Sequence, residues 1–322
     1  METWAASPGG VYRNNFISKE LMDAATEKTE LINWCTPVSG FGKKSGDTVN
    51  LYTMAGPDEV DDGILQENVN IPEQPMALTG TSFQIRELGK AVTWTNIWND
   101  WSKFELPDFA KKRLRNQMKL ILDRGAGNGF KQAGINFTPT GLGVFTVNLG
   151  VGVPAVPTVP PAATLGVTHI NILRDYLYGT LKAPYFKEGD AYIGVCNWAE
   201  TRHLRNDPLW QQWYVVGHPE KLQRGEIGTI DNCKIIETNH DTVLQQQVIA
   251  GVTYGQCMFF GDEAVAFAEA QTPELRLSPA MDSGRQFRCA WYGQVGFGVY
   301  HPGSLPRHAR IIRVSGTGYA VV

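Results

Sequence analysis

The residues of this chain best suited to chemistry are scattered, and each familiar arrangement fails at a position that can be named. Lys43-Lys44-Ser45 begins like a phosphate loop, where a glycine-rich turn wraps backbone N–H groups around phosphates and a lysine and a hydroxyl complete the grip. That motif requires glycine at 37 and Ser or Thr at 44, and the chain carries Pro37 and Lys44. Gly125-Ala126-Gly127-Asn128-Gly129 follows a predicted helix instead of joining a strand to a helix, so it is no dinucleotide turn. The acidic run from Asp58 suggests a calcium loop, but the third and twelfth ligand positions would be Val60 and Val69, which offer no side-chain oxygen. His169, His203, His218, His240, His301 and His308 include no pair at metal-ligand spacing, and neither G-x-S-x-G nor H-E-x-x-H occurs. Cys35, Cys196, Cys233, Cys257 and Cys289 are odd in number and form no C-x-x-C, which argues for buried free thiols over a zinc or redox centre. No catalytic, cofactor or metal site is expected.

One constellation remains, and it is electrostatic. Asp58, Glu59, Asp61, Asp62, Glu67 and Glu73 crowd a short proline-punctuated stretch, and Lys111, Lys112, Arg115 and Lys119 recur along one predicted helix. Neither set has an obvious partner nearby in sequence, so the two are expected to meet as an inter-subunit contact. The plainer alternative is that both faces are solvated.

The elements that would carry these charges follow from periodicity. A broken apolar stripe predicts a helix over 15–33. Thr48–Met54 and Thr81–Thr95 read as outgoing and returning strands around the acidic loop, and such a hairpin needs support from elsewhere. Ala110, Leu114, Met118, Ile121 and Leu122 predict a helix over 107–124, with Asp108 as its N-cap and Gly125, Gly127 and Gly129 as its end. From Gln132 to Leu173 no Asp, Glu, Lys or Arg occurs. Phe145, Val147, Leu149, Val151 and Val153 alternate there, as in an exposed β-excursion or long loop, with an uncharged linker as the alternative.

Beyond Thr168 the pattern turns α/β. A helix is expected from Ile170 to Leu181, a strand at Ala191–Cys196 and a helix at Trp198–Asn206. Strands Glu226–Ile230 and Cys233–Thr238 flank Asp231-Asn232, and Gln256–Phe260 is a further strand. A short helix at Glu263–Ala268, a long strand at Phe287–Val299 and a last strand at Ala309–Val314 complete the series.

The bulk properties agree with a large self-sufficient chain. A length of 322 residues suggests about two domains. A net charge of −3 is far from the strongly basic balance of a protein that grips nucleic acid. No secretory-signal pattern opens the sequence and no unbroken apolar window suits a membrane span, so the Asn136-Phe137-Thr138 glycosylation triplet has no supporting context.

The order of parts resembles the major capsid (coat) proteins of tailed bacteriophages, which share the Hong-Kong-97-type (Johnson) fold. Two runs carry the likeness locally. GEIGTIDNCKIIET, 225–238, and DSGRQFRCAWYGQVGFGVY, 282–300, look like segments of the coat proteins of short-tailed N-four-like phages. The resemblance implies an α+β chain with an N-terminal arm at 1–36 and an extended β-loop at 37–95. A peripheral domain with a long spine helix would comprise 96–131 and 270–322. A Gly/Pro-rich insertion or connection would span 132–166, and an axial α/β domain 167–269. It further implies a structural protein, not an enzyme, with no cofactor. Copies would assemble as hexamers and pentamers into an icosahedral head around double-stranded DNA that is enclosed without sequence-specific binding. A scaffold and a portal protein would be further partners and a decoration protein an optional one. Assembly in the host cytoplasm would place the chain in the virion, with no membrane partner. A cellular nanocompartment shell of the same fold, and a β-rich surface-binding module of another class, are the competing readings. Some members of the family cross-link through a lysine in the extended loop, but Ser45–Gly89 contains none, so a non-covalent shell is expected.

Overall fold

The computed structural model describes residues 29–38, 46–55, 77–102, 106–149, 162–186, 190–217, 228–240, 247–249, 252–301 and 309–317, with 64, 67, 70 and 244 as single residues. Of the helix expected over 15–33, only 29–33 falls among them. There Leu31–Trp34 forms a short 3-10 turn, which leads into a two-residue strand β1 (Thr36–Pro37).

The expected hairpin is present and is organised differently at its return. Strand β2 (Thr48–Ala55) pairs antiparallel with β3 (Ala77–Gln84), from Thr48 opposite Gln84 to Ala55 opposite Ala77. The chain then breaks at Ile85, whose N–H donates to the Asp47 carbonyl, and continues as β4 (Arg86–Thr95) in a different sheet. One predicted strand is therefore two, because each half pairs with a different neighbour.

After the six-residue helix α1 (Asn96–Trp101) comes α2 (Leu106–Phe130), 25 residues long. The expectation that glycines end it after residue 124 is wrong. A Cβ on Gly125 would lie 2.6 Å from the Phe297 ring, and one on Gly129 would lie 2.9 Å from Val265. These glycines let the helix press onto a sheet, and burial of Ala126 and Phe130 offsets a helix-propensity cost of about 1 kcal/mol per glycine. Asp108 sits within the first turn, where its charge favours the helix dipole, and it is not the N-cap because the helix begins at Leu106.

Strand β5 (Ile135–Gly141) and β6 (Val144–Leu149) follow as a hairpin, then helix α3 (Val167–Asp175) with a π-helical turn at Tyr176–Thr180. Next come β7 (Tyr192–Asn197), α4 (Trp198–Arg205), α5 (Pro208–Gly217), β8 (Thr229–Ile230) and β9 (Cys233–Thr238). Asp231 and Asn232, both at positive φ, form the tight β8–β9 turn that their residue types favour. The remaining strands are β10 (Gln247–Ile249), β11 (Val252–Phe260), β12 (Val265–Leu277), β13 (Gln286–Val299) and β14 (Ile311–Thr317). Glu263–Ala268 is thus no helix. Glu263 turns the chain at φ 49°, and Val265, Ala266 and Ala268 are buried in a strand paired along β13.

These strands build two larger sheets. The eight-stranded one runs β6-β5-β14-β11-β7-β9-β8, with β10 beside β11. The four-stranded one runs β1-β12-β13-β4. Two segments named by the resemblance enter the eight-stranded sheet. Ile135–Leu149, expected in an insertion or connection, is the edge hairpin of the eight-stranded sheet. Ile311–Thr317, expected in the peripheral unit, lies between β5 and β11 near its centre. The reason is pairing at long range: β14 is parallel to β5 through Arg313–Asn136 and Val314–Phe137, and antiparallel to β11 over seven residues.

Both faces of the central strands of the eight-stranded sheet are buried. Tyr192, Cys196, Cys257, Phe259, Ile312 and Val314 face one cluster with α3 residues Ile170 and Leu173. Alternating with them, Ile193, Val195, Met258, Phe260 and Ile311 face a second cluster with Phe130 of α2, Val265, Val299 and Leu31. That second cluster is the junction of the two sheets. The four-stranded sheet instead takes α2 on one face, where Ala110 and Leu114 meet Trp94, Cys289 and Trp291.

Candidate assembly surface

The apolar stripe of α2 is spent on the sheet, so most of its basic residues point outward, while Asp123 is buried. Lys112, Arg115 and Lys119 are exposed. Lys111 is half-exposed and paired with Asp108 at 3.0 Å, one turn earlier. Of the acidic set, Glu67 is an exposed turn residue, and Asp58, Glu59, Asp61, Asp62 and Glu73 lie outside the described residues. Lys112, Arg115 and Lys119 of the basic set therefore lie on the solvent-facing side of α2.

Two further surfaces escaped sequence reasoning. On the face of the four-stranded sheet away from α2, a polar ladder crosses three strands. The Tyr292 hydroxyl donates to Glu87 at 2.9 Å, Gln294 donates to the same carboxylate at 3.0 Å, and Arg276 pairs with Glu274 at 2.6 Å while lying over the Tyr292 ring. Alternation in Gln286–Val299 signals this free face, but its partners come from three distant segments.

The second surface is apolar. Leu142, Val144, Val147 and Leu149 are exposed on the β5–β6 edge hairpin, with Leu142 at 87%. His169 fastens this hairpin. Its Nε2 donates to the Gly141 carbonyl at 2.7 Å, and its Nδ1 accepts the Gly166 N–H at 3.1 Å. Burial pushes the His169 pKa down, favouring the neutral ring that these roles require. The charge-free stretch was the available signal: an uncharged edge strand lacks the usual guard against pairing with another chain.

Exposed apolar side chains also gather at one end of the four-stranded sheet. Ile97, Trp98 and Trp101 lie on α1, whose first residue is tied to the β12–β13 turn by Asn96 N–H to the Arg285 carbonyl at 2.9 Å.

Inside the molecule, ionisable groups serve architecture. Glu200 is fully buried, and burial pushes its pKa up to about 8 although the Gly255 N–H donates to it at 3.2 Å. Cβ atoms on Gly255 or Gly316 would collide with its carboxylate, so both strands carry glycine where the acid sits. The buried Arg313 is pushed down to about 10 by desolvation. Among the described residues, no three or more His, Cys, Asp or Glu are placed to hold a metal ion, and no helix is long and apolar enough to cross a membrane.

No family model matches the sequence, and no curated protein does. Solved structures do match, along nearly the whole chain. The capsid of cyanophage Pam1 aligns with a TM-score of 0.71 at 12% identity, covering 96% of this chain and 97% of that one. The capsid of Ralstonia phage GP4 aligns at 0.68 and 15% identity, covering 98% of both chains. The acid-stable capsid of Helicobacter pylori bacteriophage KHP30 aligns at 0.67 and 12% identity, covering 95% of this chain and 97% of that one. The chain has the α+β Hong-Kong-97-type fold of tailed-phage capsid proteins.

Proposed function

We propose that the chain is a major capsid protein that self-assembles into the icosahedral head enclosing the double-stranded DNA genome of a tailed phage. One observation carries this reading: the likeness to phage capsids spans almost all of both chains. In this reading the protein is structural, acts by association and resides in the virion after assembly in the host cytoplasm. Scaffold, portal and decoration proteins would be its other partners. The arm would occupy 1–36 and the extended loop 37–95, and α2 with β12 and β13 would form the peripheral domain, onto which β1 and β4 at the ends of those segments pair. The eight-stranded sheet with α3, α4 and α5 would form the axial domain.

The same reading gives the charged residues a role. The acidic loop of one copy, Asp58, Glu59, Asp61, Asp62, Glu67 and Glu73, lies over Lys111, Lys112, Arg115 and Lys119 of a neighbour. Each exposed ion pair contributes only about 0.2–1 kcal/mol, so single contacts can break and re-form while a shell of many copies stays closed. With no loop lysine from Ser45 to Gly89, the shell holds together without covalent cross-links.

Negative-stain microscopy of the overexpressed chain tests the main claim: closed shells are expected, and monomers or small oligomers alone would refute it. Replacing Asp58, Glu59, Asp61 and Asp62 by Lys should impair assembly and leave the subunit folded, and normal particles would remove the docking contact. A ladder of covalent multimers on a denaturing gel would contradict non-covalent closure. Tight DNA binding by free subunits at physiological salt would contradict enclosure without gripping.

A further inference from the structure

The turn at Leu31–Trp34 is gripped by groups from two remote elements. The Ile32 N–H donates to Asp123 Oδ1 at 3.0 Å, across 91 residues of sequence. The second carboxylate oxygen is 3.4 Å from Nε2 of His240, just beyond β9, and both side chains are fully buried. Leu31 is buried in the junction cluster with Phe130, Val265, Val299 and Ile311. Trp34 meets the Phe186 ring edge-on at 5.1 Å. From this turn the chain enters β1, parallel to β12 with Thr36 opposite Ala266.

Apolar packing of Leu31 would suffice to hold the turn, but such packing is non-directional. A carboxylate that accepts a backbone N–H is directional and specifies how the chain lies. Burial pushes the Asp123 pKa up, so the acid is held here against a desolvation cost that its hydrogen bond from Ile32 offsets in part. The arrangement favours orientation over strength.

We propose that Asp123, backed by His240, is a positioning residue that fixes the point and direction in which the N-terminal segment leaves the body, so that it reaches a neighbouring copy in one register. This rests on the shell reading above. The partner is a second copy of the chain, and the pair acts through the backbone of residues 30–32.

Hydrogen exchange and particle uniformity, measured on the full chain, test it together. In Asp123→Ala the Ile32 amide should exchange about tenfold faster or more, while Asp123→Asn, which keeps an acceptor oxygen, should stay within about threefold of wild type. Particles of Asp123→Ala should spread in diameter or fail to close, and those of Asp123→Asn should be uniform. Unchanged Ile32 exchange in folded Asp123→Ala, or fast exchange with particles as uniform as wild type, overturns the proposal. Should Asp123→Ala not fold, His240→Gln carries the same two readouts, with exchange about threefold faster expected and wild-type behaviour decisive against. A wild-type chain that forms no particles refutes the shell reading instead, which separates the two failures.

Discussion

The two large sheets solve the burial problem in opposite ways. In the eight-stranded sheet, every residue of β7 and the first six of β14 are buried. In the four-stranded sheet, β13 alternates between buried and half-exposed positions over much of its length, and Trp94 alone is buried among the residues of β4. The central strands of the first sheet are covered on both faces by their own chain. The second has α2 on one face, while its other face is covered in part by Val49 and Phe83 of the β2–β3 hairpin and elsewhere carries the polar ladder. One region holds most of the core, and the other leaves a polar face and a charged helix side toward solvent.

The comparison breaks first at the aromatics. Phe259→Ala, in the eight-stranded sheet, should cost about 3–5 kcal/mol, against about 1–2 kcal/mol for the half-exposed Phe287→Ala on β13. Urea unfolding of the soluble subunits measures both, and equal losses would mean the sheets are equally buried in solution.

The buried acid of the eight-stranded sheet sharpens the contrast through pH. Burial raises the folded pKa of Glu200 to about 8, above its usual 4.5. Its contribution is therefore complete below the unfolded value and is lost as pH rises through about 8. Wild type should lose a few kcal/mol between about pH 5 and pH 9, and Glu200→Gln should lack that slope. Parallel pH profiles would show the site is wet.

Where α2 meets the four-stranded sheet, Gly125→Ala sets helix propensity against packing. An exposed helical glycine would gain about 1 kcal/mol from alanine, but here the Phe297 ring must yield, and a net loss of about 1–3 kcal/mol is expected in thermal melts. A rise in Tm would mean the helix stands off the sheet. Smallest in stability is Lys119→Glu on the outer stripe, within about 0.5 kcal/mol of wild type, with any defect appearing in particle yield.

Much of the scaffold was legible where one face carries one pattern. The spacing of Ala110, Leu114 and Met118 marks α2, Asp231-Asn232 marks a hairpin, and alternation over Phe287–Val299 marks β13. The segment Glu263–Ala268 misled because Val265, Ala266 and Ala268 suit a helix as well as a strand until β13 pairs with them. The contact that holds the Leu31–Trp34 turn was not legible at all. Asp123 reads as one more charge on a charged helix, and His240 as a solitary histidine; only folding brings them within 3.4 Å.

Sequence alone determined the local periods, the sign and placement of the charges, the absence of lysine from Ser45 to Gly89 and the failure of each catalytic motif. Tertiary structure decided where α2 ends, that β14 belongs beside β5, and which acids are buried. The physical reason is that a residue's period reports its own chain's geometry, whereas a glycine's or a carboxylate's role depends on what faces it. For Gly125 that is the Phe297 ring, and for Asp123 the Ile32 N–H, each far along the chain.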